Sequence, residues 1–140
     1  MSKHQFLWPV RVYYEDTDAG GVVYHSNYLN FLERARTEWL RDLGFEQTIV
    51  KDELGVIIVV HSLSINFRKP ARFNDWLEVN CVLTNIGRSS IEMVQTIQRE
   101  GTVLIEANIK AAFVDAASFK PVAIPAVIIQ AMTDLHLPNN

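Results

Sequence analysis

The sequence has 140 residues, 49% of them hydrophobic and 21% charged, and its formal net charge is −3. This composition is that of a folded protein, so we expect a single domain over residues 1–140 and no general nucleic-acid binding. The one cysteine, Cys81, excludes an intrachain disulfide, and its apolar surroundings predict a buried thiol. No apolar run reaches the ~20 residues of a membrane span, and a cytoplasmic location is expected.

The chain begins with a predicted strand and an acid-rich loop. Apolar residues alternate over residues 6–14, which indicates a strand. Residues 15–21 then form a loop that contains Asp16, Asp18 and the pair Gly20-Gly21. Glycines permit backbone conformations that other residues avoid, so this loop is expected to turn sharply.

A long amphipathic helix is predicted over residues 27–43. Ser26 or Asn27 is suited to cap its first turn, and Gly44 is suited to end it. The predicted helix is about 25 Å long at ~1.5 Å per residue, which is long enough to cross a sheet. Its apolar stripe consists of Tyr28, Phe31, Leu32, Ala35, Trp39 and Leu43.

The rest of the chain is mostly predicted to be strand. After a possible short helix over residues 45–53, strands are predicted over residues 56–68, 76–86, 91–98 and 102–115, with a tight turn at Glu100-Gly101. A short helix over residues 126–135 ends the pattern. The short connections require antiparallel pairing, so we predict an α+β fold with the long helix on a five-stranded antiparallel sheet.

Familiar catalytic motifs are absent from the sequence. There is no nucleophile elbow, phosphate-binding loop or paired-cysteine motif, and the four histidines are scattered in sequence at His4, His25, His61 and His136. We therefore predict no metal site. Any hydrolytic chemistry has to rest on carboxylates, on His25 and on backbone amides.

Asp18 is the leading candidate for that chemistry. It precedes the predicted helix by a few residues, and the two glycines allow the chain to fold it back toward the helix N-terminus. The N–H groups there polarise a carbonyl, and an adjacent carboxylate attacks it or activates a water. The alternative is that Asp16, Thr17 and Asp18 only form the turn. His25 is either an acid/base group or a structural residue near the cap.

Four cations form the candidate phosphate-binding set. Arg68, Lys69 and Arg72 lie close together in sequence, and Arg88 follows in the next predicted turn. In an acidic protein such a group is suited to hold phosphates, although an ordinary basic turn has the same composition.

The N-terminal half of the chain resembles a known family. The motif runs from Trp8 to His25 through Glu15-Asp16-Thr17-Asp18 and Gly20-Gly21, and it continues in Asn27-Tyr28 and the segment 33–38. This pattern resembles the hot-dog acyl-CoA thioesterases of the 4-hydroxybenzoyl-CoA thioesterase family, particularly the bacterial YbgC-type branch associated with the Tol–Pal envelope system. The similarity extends over nearly the whole chain.

The resemblance implies a hot-dog fold, in which a long antiparallel sheet wraps around the helix. It implies hydrolysis of acyl-CoA, with short aliphatic or aromatic acyl groups, and with no metal or organic cofactor. Homodimers that pair into homotetramers are expected, and an acyl carrier protein is a second candidate partner. Two rival functions share the fold: a hydratase or dehydratase, and a binding module for acyl carrier protein or lipid enzymes with weak thioesterase activity.

The resemblance also assigns roles to particular residues. The catalytic carboxylate corresponds to Asp18, and the carbonyl-polarising amide corresponds to the His25 backbone, whose side chain is a second candidate catalytic group. We add Tyr24 and Asn27, close to His25 in sequence, as candidate substrate-binding residues. Arg88 corresponds to an arginine that contacts CoA phosphate, and Arg68, Lys69 and Arg72 are added because of their charge.

Overall fold

The computed structural model describes residues 6–135. In chain order its main elements are β1 (Leu7–Arg11), α1 (Asn27–Asp42), α2 (Gln47–Ile49), β2 (Val56–Phe67), β3 (Trp76–Asn80), β4 (Val82–Ile86), β5 (Ser90–Arg99), β6 (Thr102–Asp115) and α3 (Ala126–Leu135). A 3₁₀ turn, Tyr14–Asp16, follows β1, and α2 continues as a π-helical turn, Val50–Leu54.

All the strands belong to one antiparallel sheet. Their order is β1-β3-β5-β6-β2, and β4 also pairs with β5. The apolar side of α1 and the inner face of the sheet share one core, in which Phe31, Leu104 and Phe113 are almost completely buried. This is the α+β hot-dog arrangement expected from the sequence.

The sheet has six strands instead of the predicted five, because the strand expected over residues 76–86 is interrupted at Cys81. The side chain of Asn80 explains the interruption: its Oδ1 accepts a hydrogen bond from the Thr96 N–H at 2.6 Å, in the place of a ladder carbonyl. The two halves, β3 and β4, still lie along the same neighbour, β5. A polar side chain within a strand pattern therefore split the element without changing the topology.

The helix prediction is confirmed in its position and in its buried face. Every member of the predicted stripe is buried, and Leu40 joins them. Gly44 follows the helix with a φ of 101°, a left-handed conformation that favours glycine. Burying this face ties the helix to the sheet along its whole length, which fixes where the start of α1 lies.

The strand β2 forms one edge of the sheet and carries a bulge. The register shifts between Val60 and Ser62, so that Val60 lies opposite Ala111 and Leu63 lies opposite Ile109. Both partners are buried residues of the inner face. The bulge therefore keeps Val60 and Leu63 on the same, helix-facing side although they are three residues apart.

Apolar side chains on that side of β2 remain exposed. Val60, Leu63 and Phe67 are 48%, 39% and 52% exposed, whereas the facing residues of β6 are buried. The helix thus covers the central strands and leaves the inner face of β2 open. Within residues 6–135, no helix is both long enough and apolar enough to span a membrane.

Cys81 gives a test of the core. Burial raises the pKa of this thiol from its ordinary value of 9.0 to about 12, so the folded protein retains the proton to a higher pH than the unfolded chain. Its contribution to stability is complete below pH 9 and is lost as the pH rises above it. From pH 8 to pH 10 we expect the free energy of unfolding to fall by about 1 kcal/mol more than in Cys81→Ala. Urea denaturation of both proteins at the two pH values measures this, and equal losses would contradict a buried protonated thiol.

Candidate active site

The buried carboxylate of Asp16 fixes the loop before α1. Its Oδ2 accepts a hydrogen bond from the Tyr13 N–H and its Oδ1 accepts one from the Asn27 side-chain amide, both at 2.9 Å. The Tyr24 N–H donates to the Asp16 carbonyl, also at 2.9 Å. The loop is therefore fastened to the first residue of the helix from two sides.

Asp18 lies at the turn that this fastening creates. Its N–H donates to the Val22 carbonyl at 2.9 Å, and its Oδ1 accepts from the Gly20 N–H at 2.8 Å. Gly21 has a φ of 79°, and a Cβ added to Gly20 would lie 3.2 Å from Asp18 Oδ1, so both glycines serve the turn. The side chain is exposed, and no described residue donates a hydrogen bond to its Oδ2.

The start of α1 offers N–H groups beside this turn. The Asn27 N–H donates to the Tyr24 carbonyl at 2.8 Å, whereas the N–H groups of His25 and Ser26 have no acceptor among residues 6–135. Ser26 occupies the cap position, but its side chain makes no capping hydrogen bond. Unpaired N–H groups at a helix entrance carry partial positive charge and can bind a carbonyl oxygen.

A second turn, residues 70–75, lies between the loop and α1 and is hydrogen-bonded to both. The Ala71 carbonyl accepts from the Val23 N–H at 2.8 Å, and the Ala71 N–H donates to the Tyr28 hydroxyl at 3.0 Å. Burial is the main cause that raises the pKa of Tyr28, and the carboxylate of Asp18 adds to the shift. The hydroxyl is therefore protonated at neutral pH and keeps its own proton to donate.

An ion pair closes this second turn. Asp75 Oδ2 accepts from the Arg99 guanidinium at 2.7 Å and from the Arg72 N–H at 2.8 Å. Both side chains of the ion pair are partly shielded from solvent, so the contact is screened less than an exposed pair. Arg72 in turn forms a β-bridge with Val22, which joins the two turns directly.

The structure brings most of the predicted site residues together. Asp18, Tyr24 and Asn27 belong to one hydrogen-bonded loop, and the His25 ring packs against the Tyr24 ring with centroids 4.4 Å apart. The Asn27 side chain is occupied by Asp16 instead of facing a ligand. No described group of three histidine, cysteine, aspartate or glutamate residues is arranged to hold a metal, and His4 and His136 lie outside the described residues.

The predicted cations divide into two groups. Arg68 and Lys69 precede the second turn and Arg72 lies in it; all three are exposed, and Arg68 forms an ion pair with Glu106 at 2.7 Å. Arg88 lies in the turn before β5, at the opposite end of that strand from Arg99. The ten residues of β5 span roughly 30 Å, so within one chain Arg88 is remote from Asp18.

Sequence reasoning missed the hydroxyl of Tyr28 and the ion pair of Asp75 with Arg99. Tyr28 was assigned to the apolar stripe, and it is indeed 3% exposed. The available signal was the residue type, because a buried tyrosine usually has a hydrogen-bond partner for its hydroxyl whereas phenylalanine needs none. The ion pair joins residues 24 positions apart, which no local pattern reveals.

Comparisons with known proteins give a consistent result. The thioesterase superfamily model matches residues 20–106. The acyl-CoA thioesterase YbgC of Haemophilus influenzae is 45% identical over 89% of this chain and 92% of its own length. The acyl-CoA thioester hydrolase YbgC of Escherichia coli is also 45% identical, over 92% of this chain and 96% of its own length.

A solved structure is similar over nearly the same extent. The crystal structure of a probable thioesterase from Bartonella henselae superposes with a TM-score of 0.83 at 33% identity. The superposition covers 87% of this chain and all of the Bartonella chain.

The two aspartates of the loop are expected to differ in their effect on stability. Asp16→Ala leaves the Tyr13 N–H and the Asn27 amide without their acceptor, which we expect to cost about 1–3 kcal/mol. Asp18→Ala, the matched change at an exposed position, should alter stability by less than about 0.5 kcal/mol. Urea denaturation of both variants measures the difference. Equal losses would show that Asp18 also supports the fold.

Proposed function

Because the chain belongs to the thioesterase superfamily, we propose that it hydrolyses acyl-CoA thioesters at the unit formed by Asp18 and the entrance of α1. One observation carries the assignment of the site. A carboxylate with a free oxygen and two unpaired N–H groups occur together in one loop that is fixed on two sides. We take residues 1–140 to form one thioesterase domain.

The geometry supports a division of roles between backbone and side chain. The thioester carbonyl oxygen accepts hydrogen bonds from the His25 and Ser26 N–H groups, whose charge stabilises the developing oxyanion. Asp18 then either attacks the carbonyl carbon, forming an anhydride, or removes a proton from an attacking water. In both routes the C–S bond breaks, CoA leaves as its thiolate and is protonated, and water supplies the second oxygen of the acid.

The Tyr28 hydroxyl and the Ala71 backbone act indirectly, by positioning the loop. They hold Val23, and therefore the turn that carries Asp18, at a fixed distance from the start of α1. Hydrogen-bond donors that are already fixed in place stabilise a transition state more than mobile donors do, because no free energy is needed to orient them during the reaction. Tyr28 is in this sense a positioning residue.

Asp18→Asn should fold normally and lower kcat by about 10²–10⁴, because the amide neither attacks nor accepts a proton. His25→Ala should lower kcat less, since the backbone N–H remains. Thiol release from a series of acyl-CoAs measures both, and a parallel enoyl-CoA hydration assay tests the hydratase alternative. An acyl carrier protein thioester, which presents the same thioester on a pantetheine group, is the substrate of a third assay. Near wild-type turnover by Asp18→Asn would overturn the site.

The edge strand β2 supports a homodimer. One edge of β2 pairs with β6, and the other edge has no partner strand among residues 6–135. An edge of 12 residues with exposed apolar side chains invites pairing with another chain. We infer that β2 pairs antiparallel with β2 of a second copy about a two-fold axis.

This pairing gives Arg88 a place at the site. The two-fold axis reverses the direction of the second sheet, so Arg88 of the partner subunit lies at the same end of the joined sheet as Asp18. The nucleotide part of CoA extends away from the thioester and carries phosphates, which arginine binds well. The proposed site therefore takes its carboxylate from one subunit and a phosphate ligand from the other.

Leu63→Lys is expected to convert the dimer to a monomer, because it places a charge on the apolar inner face of β2. Val127→Lys is the matched control, since Val127 is an exposed valine of α3, remote in sequence from β2. Sedimentation velocity measures the association state, and circular dichroism verifies that both variants fold. An unchanged association state in Leu63→Lys would reject pairing through β2.

A further inference from the structure

A cavity of about 330 Å³ lies along α1, away from the Asp18 loop. The sheet side of the cavity is apolar and includes Ile58, Val60 and Phe113. The helix side is mixed: Glu33, Arg36 and Thr37 are polar, whereas Trp39 and Leu40 are apolar. A space that is mainly apolar and has a few polar groups on one side is suited to a ligand with methylene groups and a polar end.

The inner face of β2 connects the entrance of α1 with this cavity. The Tyr28 ring packs against Phe67 with centroids 5.8 Å apart. From Phe67 the same face runs back through Ile65 and Leu63 to Val60 at the cavity, since all four lie opposite inward residues of β6. An acyl chain whose thioester is held at the start of α1 therefore has an apolar surface beside it on the way to the cavity.

A buried glutamine holds the Arg36 guanidinium in place. Gln95 on β5 is completely buried, and its Oε1 accepts from Arg36 Nη1 at 2.9 Å. Its Nε2 donates to the Leu32 carbonyl and to Cys81 Sγ, both at 3.1 Å. Because a carbonyl only accepts, the Leu32 contact fixes which way the amide faces. Every polar atom of Gln95 is thus used, and Arg36 is oriented by it.

Within residues 6–135 the charge of Arg36 is attracted by the nearby Glu33 but forms no ion pair. Burial lowers the pKa of Arg36, which reports a cost of placing its charge there. The nearby Cys81 thiol does not supply a negative charge, since burial raises its pKa to about 12. Within residues 6–135 no carboxylate forms an ion pair with Arg36, although the exposed Glu33 lies one turn away. Partly buried charges are usually paired, so this cation is suited to an anionic ligand.

We propose that Arg36 determines acyl specificity by binding a carboxylate at the far end of the acyl chain, so that the enzyme favours CoA thioesters of dicarboxylic acids. This inference rests on the proposed thioesterase function. The guanidinium, whose planar fork matches a carboxylate, uses one of its five N–H groups on Gln95 and retains four. The apolar wall of β2 and β6 accommodates the methylene groups between the two ends.

The helix geometry gives the expected length of the acyl chain. Gln95 binds both the Arg36 guanidinium and the Leu32 carbonyl, so the guanidinium lies near Leu32. Leu32 is seven residues beyond His25, a separation of about 10 Å along the helix axis. An extended carbon chain advances by roughly 1.2 Å per bond, so about eight carbons cover that distance. Suberyl-CoA is the matching substrate, and 8-methylnonanoyl-CoA replaces its carboxylate by an uncharged group of the same shape.

The test compares kcat/KM for these two substrates in the wild type and in Arg36→Met, with octanoyl-CoA as the reference for thioesterase activity. We expect the wild type to favour suberyl-CoA by about 10- to 100-fold, as for a hydrogen-bonded ion pair. In Arg36→Met this ratio should fall to about one or below, chiefly through a higher KM for suberyl-CoA. Arg36→Lys keeps the charge without the fork and should give an intermediate ratio.

Glu33→Gln is the matched control, because it removes a negative charge from the same cavity from which Arg36→Met removes a positive charge. Removing a like charge near the bound carboxylate should increase the preference for suberyl-CoA instead of decreasing it. If the wild type hydrolyses octanoyl-CoA but shows no preference for suberyl-CoA over 8-methylnonanoyl-CoA, this inference is overturned and the proposed function stands. Absence of thiol release from every substrate would overturn the proposed function itself. An equal loss on both test substrates in Arg36→Met and Arg36→Lys would assign Arg36 to the fold and reject its role in specificity.

Discussion

The buried carboxylate of Asp16 accepts hydrogen bonds from both sides of the loop that precedes α1, from the Tyr13 N–H and from the Asn27 amide. The rest of the site depends on this contact, because it joins the start of the loop to the first residue of the helix. With Asp16 fixed, the chain must return within a few residues, and Gly20 and Gly21 allow it to do so. Asp18 is thereby left exposed at the turn with an oxygen available for chemistry.

The loop is also held from the side of residues 70–75, through the backbone of a single residue. Ala71 donates to the Tyr28 hydroxyl and accepts from the Val23 N–H, so it lies between the helix and the loop. The surrounding turn is closed by Asp75 and Arg99. Three nearby acids therefore differ in their contacts: Asp16 and Asp75 use their carboxylates in structural hydrogen bonds and an ion pair, whereas Asp18 keeps one carboxylate oxygen without a described donor. Such neighbours hold the backbone of the loop, so that only one oxygen of Asp18 is used in the turn, by the Gly20 N–H.

The parts of this arrangement that are local in sequence were predictable. The stripe of α1, the bounds of β6 and the acid-rich turn follow from periodicity and glycine placement, which depend on neighbouring residues. The spacing favoured Asp18 over a role in the turn only weakly, and the family resemblance then assigned the catalytic role to Asp18 instead of Asp16. The break at Cys81 was not predictable, since it depends on the Asn80 side chain reaching Thr96 on another strand. The pairing of Arg36 with Gln95 joins residues 59 positions apart and has the same cause.

The open inner face of β2 connects these observations. In a single chain Val60, Leu63 and Phe67 face the side of the sheet on which α1 packs, yet they stay exposed, because the helix lies over the central strands. The same face forms one wall of the proposed acyl path, so an acyl chain bound to an isolated subunit would be partly in water. Pairing of two β2 strands brings a second sheet and helix beside that path, which shields the chain. Shielding would also strengthen the attraction between Arg36 and a bound carboxylate, because charges interact more strongly where water is excluded. Association of subunits and recognition of the acyl end would then depend on one strand.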